Sequence, residues 1–130
     1  MHMIPKFDEN GYLPSGVHLA SLDEIEARFG RQSEIRRVEM QSLRWLADLA
    51  RKAGVLRLIV NGSFVTERLE PNDVDCVLLA EEGGAKSADA EHEFRAGLPF
   101  LQVAMIGQED FDFLVNTVFA TDRKWIAKEP

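Results

Sequence analysis

Residues 74–80, Val-Asp-Cys-Val-Leu-Leu-Ala, are apolar at every position except Asp75. A run of this length is strand-sized, and a strand apolar on both of its alternating faces must be covered on both sides. A second β-type run, Val55-Leu56-Arg57-Leu58-Ile59-Val60, ends at Asn61-Gly62-Ser63. A third candidate, Phe100-Leu101-Gln102-Val103-Ala104-Met105-Ile106, follows the breakers Gly97 and Pro99. Strands of this kind need helices over them, so the fold class expected is α/β.

Caps and periodicity supply the helices. Ser21 and Glu24 have the spacing of a capping box, and Gly30 provides a stop. Ser33 can cap a longer helix over residues 33–53, which Gly54 would end. Ile35, Val38, Ser42, Trp45, Leu46, Leu49 and Ala53 recur at spacings of three and four and predict its buried stripe. Arg36, Arg37, Glu39, Arg44 and Asp48 are then expected on the wetter side. Residues 81–87 read as a loop and residues 89–95 as a short helix. Phe111, Leu114, Val115, Val118 and Phe119 fit a C-terminal amphipathic helix. Residues 1–20 lack a helical period and read as an extended arm pinned by Phe7, Tyr12 and Leu13. Asp8-Glu9-Asn10-Gly11 is a turn with glycine where positive φ is needed, and no acidic residues follow it to make a calcium loop. Residues 122–130 are polar and expected to fray apart from Trp125 and Ile126. The architecture expected is one domain over residues 1–130, with a core from residue 21 onward. It is a short mixed sheet of three or four strands, backed by the 33–53 helix and the C-terminal helix.

Charge narrows the partners. Fifteen Lys and Arg against 22 Asp and Glu leave a net charge of −7, which argues against non-specific DNA or RNA binding through a basic face. A nucleotide pocket is compatible with that balance, because a bound cation reverses the local sign. No apolar stretch is long enough to span a membrane, the first residues lack a secretory core, and one cysteine makes no intramolecular disulfide. A cytoplasmic location is expected.

The chemistry is concentrated in Val60-Asn61-Gly62-Ser63-Phe64-Val65-Thr66-Glu67-Arg68-Leu69-Glu70-Pro71-Asn72-Asp73-Val74-Asp75. Gly-Ser at a strand end lets the backbone turn sharply and approach a ligand, and a helical turn starting there would aim N–H groups and the Ser63 hydroxyl at an anion. Asp73 and Asp75, at the head of the next strand, project from one face about 6–7 Å apart. Two such carboxylates suit magnesium, which also takes waters and phosphate oxygens. A phosphate cradle facing paired aspartates is what metal-assisted phosphoryl or nucleotidyl transfer requires.

Strand, Gly62-Ser63, connection and Asp73-Val74-Asp75 resemble the signature of the polymerase-β-type nucleotidyltransferase superfamily, whose minimal members are similar in size to this chain. Phe7-Asp8-Glu9-Asn10-Gly11-Tyr12-Leu13-Pro14, Phe29-Gly30, Asn61-Gly62-Ser63-Phe64-Val65-Thr66 and Pro71-Asn72-Asp73-Val74-Asp75 together resemble an uncharacterised bacterial family with a nucleotidyltransferase-like core. The resemblance implies that Gly62 and Ser63 hold a nucleoside triphosphate and that Asp73 and Asp75 bind Mg²⁺ and serve catalysis. It also implies a protein or tRNA hydroxyl as acceptor, as in toxin–antitoxin modules. Two departures stand out. Thr66 occupies the place where minimal nucleotidyltransferases carry an arginine, which makes Arg68 the candidate phosphate ligand. The third carboxylate of active members is unassigned: the third strand candidate offers the neutral Gln102, and Glu109 and Asp110 read as dipole partners of a helix start. These departures favour the alternative of a catalytically degenerate module that binds a partner, as an antitoxin does. Cys76 is expected to be a buried hydrophobe, and Arg36 and Arg37 solvated helix residues.

Overall fold

A computed structural model of the chain describes residues 4–14, 16–55, 57–79, 100–106, 109–110 and 124–128. Helix α1 spans Leu22–Phe29 and begins with the capping box, in which Ser21 Oγ accepts from Glu24 N and the Glu24 carboxylate accepts from Ser21 N. Helix α2 spans Glu34–Lys52 and starts from Ser33, whose hydroxyl accepts from Arg36 N. Its C-terminus closes in a Schellman arrangement. Gly54 N donates to Arg51 O, Val55 N donates to Ala50 O, and Gly54 takes φ +78°.

Five strands form one sheet: β1 (Gly16–Ala20), β2 (Arg57–Asn61), β3 (Val74–Leu79), β4 (Leu101–Ile106) and β5 (Lys124–Lys128), in the order β1-β5-β2-β3-β4. β2 pairs antiparallel with both β3 and β5, whereas β1–β5 and β3–β4 are parallel, so the sheet is mixed. This corrects the expected three or four strands. The two additions are β1, read as part of the arm, and β5, read as a fraying end. Each is a five-residue strand that pairs only with strands distant from it in sequence, so no local pattern announces it. The expected elements over residues 81–95 and 111–119 lie outside the described residues.

Leu58 and Val60 of β2 and Val74, Cys76 and Leu78 of β3 share a core with Ile25, Phe29, Met40, Leu43 and Leu46 of the helices. Ile59, Val77 and Leu79, on the other face, are also buried, which meets the requirement set by the apolar run. Phe7 and Leu13 pin the arm as expected, with the Phe7 ring 6.0 Å from that of Phe29 and Leu13 fully buried. Tyr12 does not pack inward but stays half exposed.

The stripe on α2 is rotated from the expected one. Arg36, Glu39, Met40, Ser42, Leu43, Leu46, Ala47 and Ala50 are buried, and Val38 is 40% exposed. Arg36 and Glu39, placed on the wetter side by their charge, therefore lie inside. Among the described residues, no helix is long and apolar enough to cross a membrane.

Candidate functional site

The β2 strand ends at Asn61, and the chain turns at once into a single 3₁₀ turn, Gly62–Val65. Gly62 makes the turn possible: it takes φ +83°, a left-handed conformation that costs little only for glycine. A Cβ at Gly62 would overlap Oδ2 of Asp75 and come within 3.1 Å of its Cγ. The Asp75 carboxyl group therefore lies directly over Gly62. The pairing puts it there, because Asn61 of β2 is opposite Asp75 of β3.

The segment after the turn is held from below by one side chain. Arg36 is only 2% exposed. Its guanidinium donates to the carbonyls of Phe64 at 2.7 Å, Thr66 at 2.8 Å, Phe29 at 3.0 Å and Ser63 at 3.5 Å, and to Arg68 O. Ser33 Oγ, which caps α2, also donates to Leu69 O at 2.8 Å. Backbone acceptors from Ser63 to Leu69 are thus turned toward the N-terminal end of α2. Thr66 closes the turn itself: its hydroxyl donates to Ser63 O at 2.7 Å and accepts from Arg68 N at 3.2 Å. Threonine at this position serves the turn's internal geometry.

Beside Arg36, Glu39 is fully buried, and neither of its carboxylate oxygens has a hydrogen-bond partner among the described residues. Burial pushes its pKa up to about 7, opposed by the Arg36 charge and reinforced by Asp73. Burial in turn lowers the pKa of Arg36, and the Glu39 charge opposes that shift. The thiol of Cys76 is pushed far up by burial, with Asp75 and Asp73 adding to the effect. It is a buried core residue, as expected.

A pocket of about 520 Å³ opens over the turn, lined by Asn61, Gly62, Ser63, Val65, Thr66, Glu67 and Arg68 on one side and by Asn10, Gly11 and Tyr12 of the arm on the other. Gly62, Ser63 and Arg68 are thus brought together in one pocket. Asp75 adjoins it through Gly62, while Asp73 stands at the start of β3, where neighbouring Val74 N donates to Phe100 O at 2.6 Å. Asp73 and Asp75 are both half-buried, and neither is among the pocket-lining residues. In the parallel pairing of β3 and β4, Gln102 is the register partner of Asp75. Glu109 and Asp110 are exposed. Among the described residues, no three His, Cys, Asp or Glu side chains form a group that could hold a metal ion.

Two residues of this neighbourhood, Arg36 and Glu39, escaped the sequence reading. A signal for the first existed. Arg36, Met40, Leu43, Ala47 and Ala50 follow one another at alternating intervals of four and three, so Arg36 continues the buried stripe by spacing alone. Its charge hid that position, because the carbonyls that satisfy it come from a segment some thirty residues away.

No curated protein and no solved structure matches the chain. A family described as a family of unknown function, DUF6932, matches residues 5–127. The match covers nearly the whole chain, and the protein belongs to that family.

Proposed function

We propose that the chain is a nucleotidyltransferase-like domain that binds a nucleoside triphosphate with Mg²⁺ in the pocket over Gly62 and Ser63. The observation that carries this reading is the Asp75 carboxyl group lying over Gly62, at the edge of a pocket that also holds Ser63 and Arg68. Such a pocket has the size of a small-molecule site. Arg68 and the Ser63 hydroxyl are its phosphate donors, since both line it. Asp73 and Asp75 are the donors for the cation. Two carboxylates are a fitting set for Mg²⁺, which keeps several waters and completes its shell with substrate phosphate. When bound, the ion supplies charge neutralisation at the phosphate oxygens. If a nucleotidyl group is transferred, the acceptor oxygen bonds to the α-phosphorus, the bond to the departing pyrophosphate breaks, and the hydroxyl proton passes to solvent water. The acceptor is then a protein or tRNA hydroxyl, and the net charge of −7 favours a protein.

A second reading keeps the binding and drops the transfer. Gln102 beside Asp75 favours it, because an amide there adds no negative charge to the metal site and cannot take the proton. In that case the domain acts by binding a partner, as antitoxins do.

One experiment tests both. Thermal unfolding is followed with each nucleoside triphosphate, with and without Mg²⁺, in the wild type and in Asp73→Ala/Asp75→Ala. Ligand at a hundred times its Kd stabilises by about 2.7 kcal/mol. A Mg²⁺-dependent shift that is lost in the double variant supports the reading, and no shift with any nucleotide refutes it. Transfer of α-phosphorus label to protein or RNA then separates the transferase from the binding module.

A further inference from the structure

The arm supplies one wall of the pocket through Asn10, Gly11 and Tyr12, and it does so through a braced turn. Asp8 Oδ1 accepts from Asn10 N at 2.8 Å and Tyr12 N at 3.1 Å, and Asp8 N donates to Tyr12 O at 2.7 Å. Gly11 takes φ +83°, and its carbonyl accepts from Glu67 N at 3.0 Å, which ties the turn to the far wall. The approach is close: a Cβ at Gly11 would stand 3.2 Å from Cβ of Glu67. The two residues that follow Gly11 are treated differently. Leu13 is fully buried, whereas Tyr12, the only tyrosine in the chain, keeps 49% exposure at the rim of the pocket. A large ring held half open on a rigid turn beside a cavity offers contact area with little ordering entropy left to lose.

The pocket also has a polarity. The Glu67 carboxyl group is laid against Gly11, with Cδ 3.3 Å and Oε1 3.4 Å from the glycine's Cβ position. That acid reaches across from the opposite wall to Gly11, the residue before Tyr12. A triphosphate is repelled there and belongs at Gly62, Ser63 and Arg68. What fits against Tyr12 is the uncharged, flat end of the ligand.

We infer that Tyr12 is the stacking platform for the base of the bound nucleotide, so that the arm confers preference for a nucleotide over its bare phosphate chain. This inference rests on the nucleotide-binding reading above. It is tested on the full chain by calorimetric titration with Mg²⁺ and either inorganic tripolyphosphate or the best bound of the four common nucleoside triphosphates. Wild type, Tyr12→Ala and Tyr12→Phe are compared. Base–aromatic stacking is worth a factor of about five or more, so the wild type binds the nucleotide at least about fivefold more tightly than tripolyphosphate. In Tyr12→Ala that preference disappears while tripolyphosphate affinity is kept, and in Tyr12→Phe it survives. Equal affinity of the wild type for both probes overturns the inference and leaves the phosphate site standing. So does a Tyr12→Ala variant that keeps the preference or weakens both probes equally. Failure of the wild type to bind either probe overturns the inference together with the reading beneath it. Should Tyr12→Ala not fold, the wild-type ratio and its retention in Tyr12→Phe decide the matter.

Discussion

Replacing Gly62 by alanine probes the junction at which strand, turn and carboxylate meet. The substitution has two separable costs. An L-residue in the left-handed region is disfavoured by about 1–2 kcal/mol, and Gly62 sits there with φ +83°. The new methyl would also overlap Asp75 Oδ2, which forces that side chain out of its place. Moving a side chain off its rotamer costs about 0.5–1.5 kcal/mol. The Gly62→Ala variant is therefore expected to lose about 2–3 kcal/mol. The second cost should vanish when Asp75 is alanine, because only the Cβ of residue 75 then remains near, at 3.4 Å. Urea unfolding of wild type, Gly62→Ala, Asp75→Ala and the double variant measures the difference. We expect the glycine substitution to cost about 1 kcal/mol less in the Asp75→Ala background. Equal costs in both backgrounds would show that Asp75 does not lie over Gly62, and the proposed site would lose its carboxylate.

Arg36→Met removes the donor shared by the carbonyls of Phe29, Ser63, Phe64, Thr66 and Arg68 while keeping an unbranched side chain. Buried acceptors left unpaired cost about 1–3 kcal/mol each, and water will satisfy some of them, so a loss of about 3–5 kcal/mol is expected by urea unfolding. Amide exchange should accelerate first within residues 62–69; a loss below about 1 kcal/mol would refute the role given to Arg36. Glu39 gives a pH signature. Its folded pKa is raised from 4.5 to about 7, so the folded state holds the proton more tightly than the unfolded chain. Its contribution is most favourable below pH 4.5, declines as pH rises through about 7, and is flat above. The full shift would amount to about 3 kcal/mol, of which relaxation around the newly charged carboxylate recovers part, leaving about 1–2 kcal/mol. Glu39→Gln should therefore match the wild type near pH 4.5 and exceed it by about 1–2 kcal/mol at pH 8, as read from paired denaturant curves; a difference independent of pH would contradict it.

What could be read from the chain were features whose causes are local. Ser21 and Glu24 form their capping box within one turn, Ser33 caps its own helix, and Gly11 takes the positive φ expected of its turn. β2 and β3 were legible because both runs are apolar and bounded by turn residues. The proximity of Gly62 to Asp75 was legible because an antiparallel neighbour brings the end of one strand to the start of the next. What escaped has distant causes. Lys124–Lys128 carries a lysine at each end and becomes a strand only because β1 and β2 flank it. Arg36 is buried because carbonyls from Ser63 to Arg68 converge on it, and charge alone argues the opposite. The half-exposed Tyr12 looked like an anchor because aromatic residues in an arm commonly are, and only the docked turn shows that it faces the pocket rim.

The pairing of Gly16 with Lys124 has a consequence for synthesis. A nascent chain leaving the ribosome can form the β2–β3 hairpin early, but the first strand has no seat until the last has emerged and slotted between it and β2. Until then β2 presents an unpaired edge, which is an invitation to aggregation. Completion of the sheet therefore waits for β5, and shielding the β2 edge until β5 arrives guards the chain against edge-to-edge association.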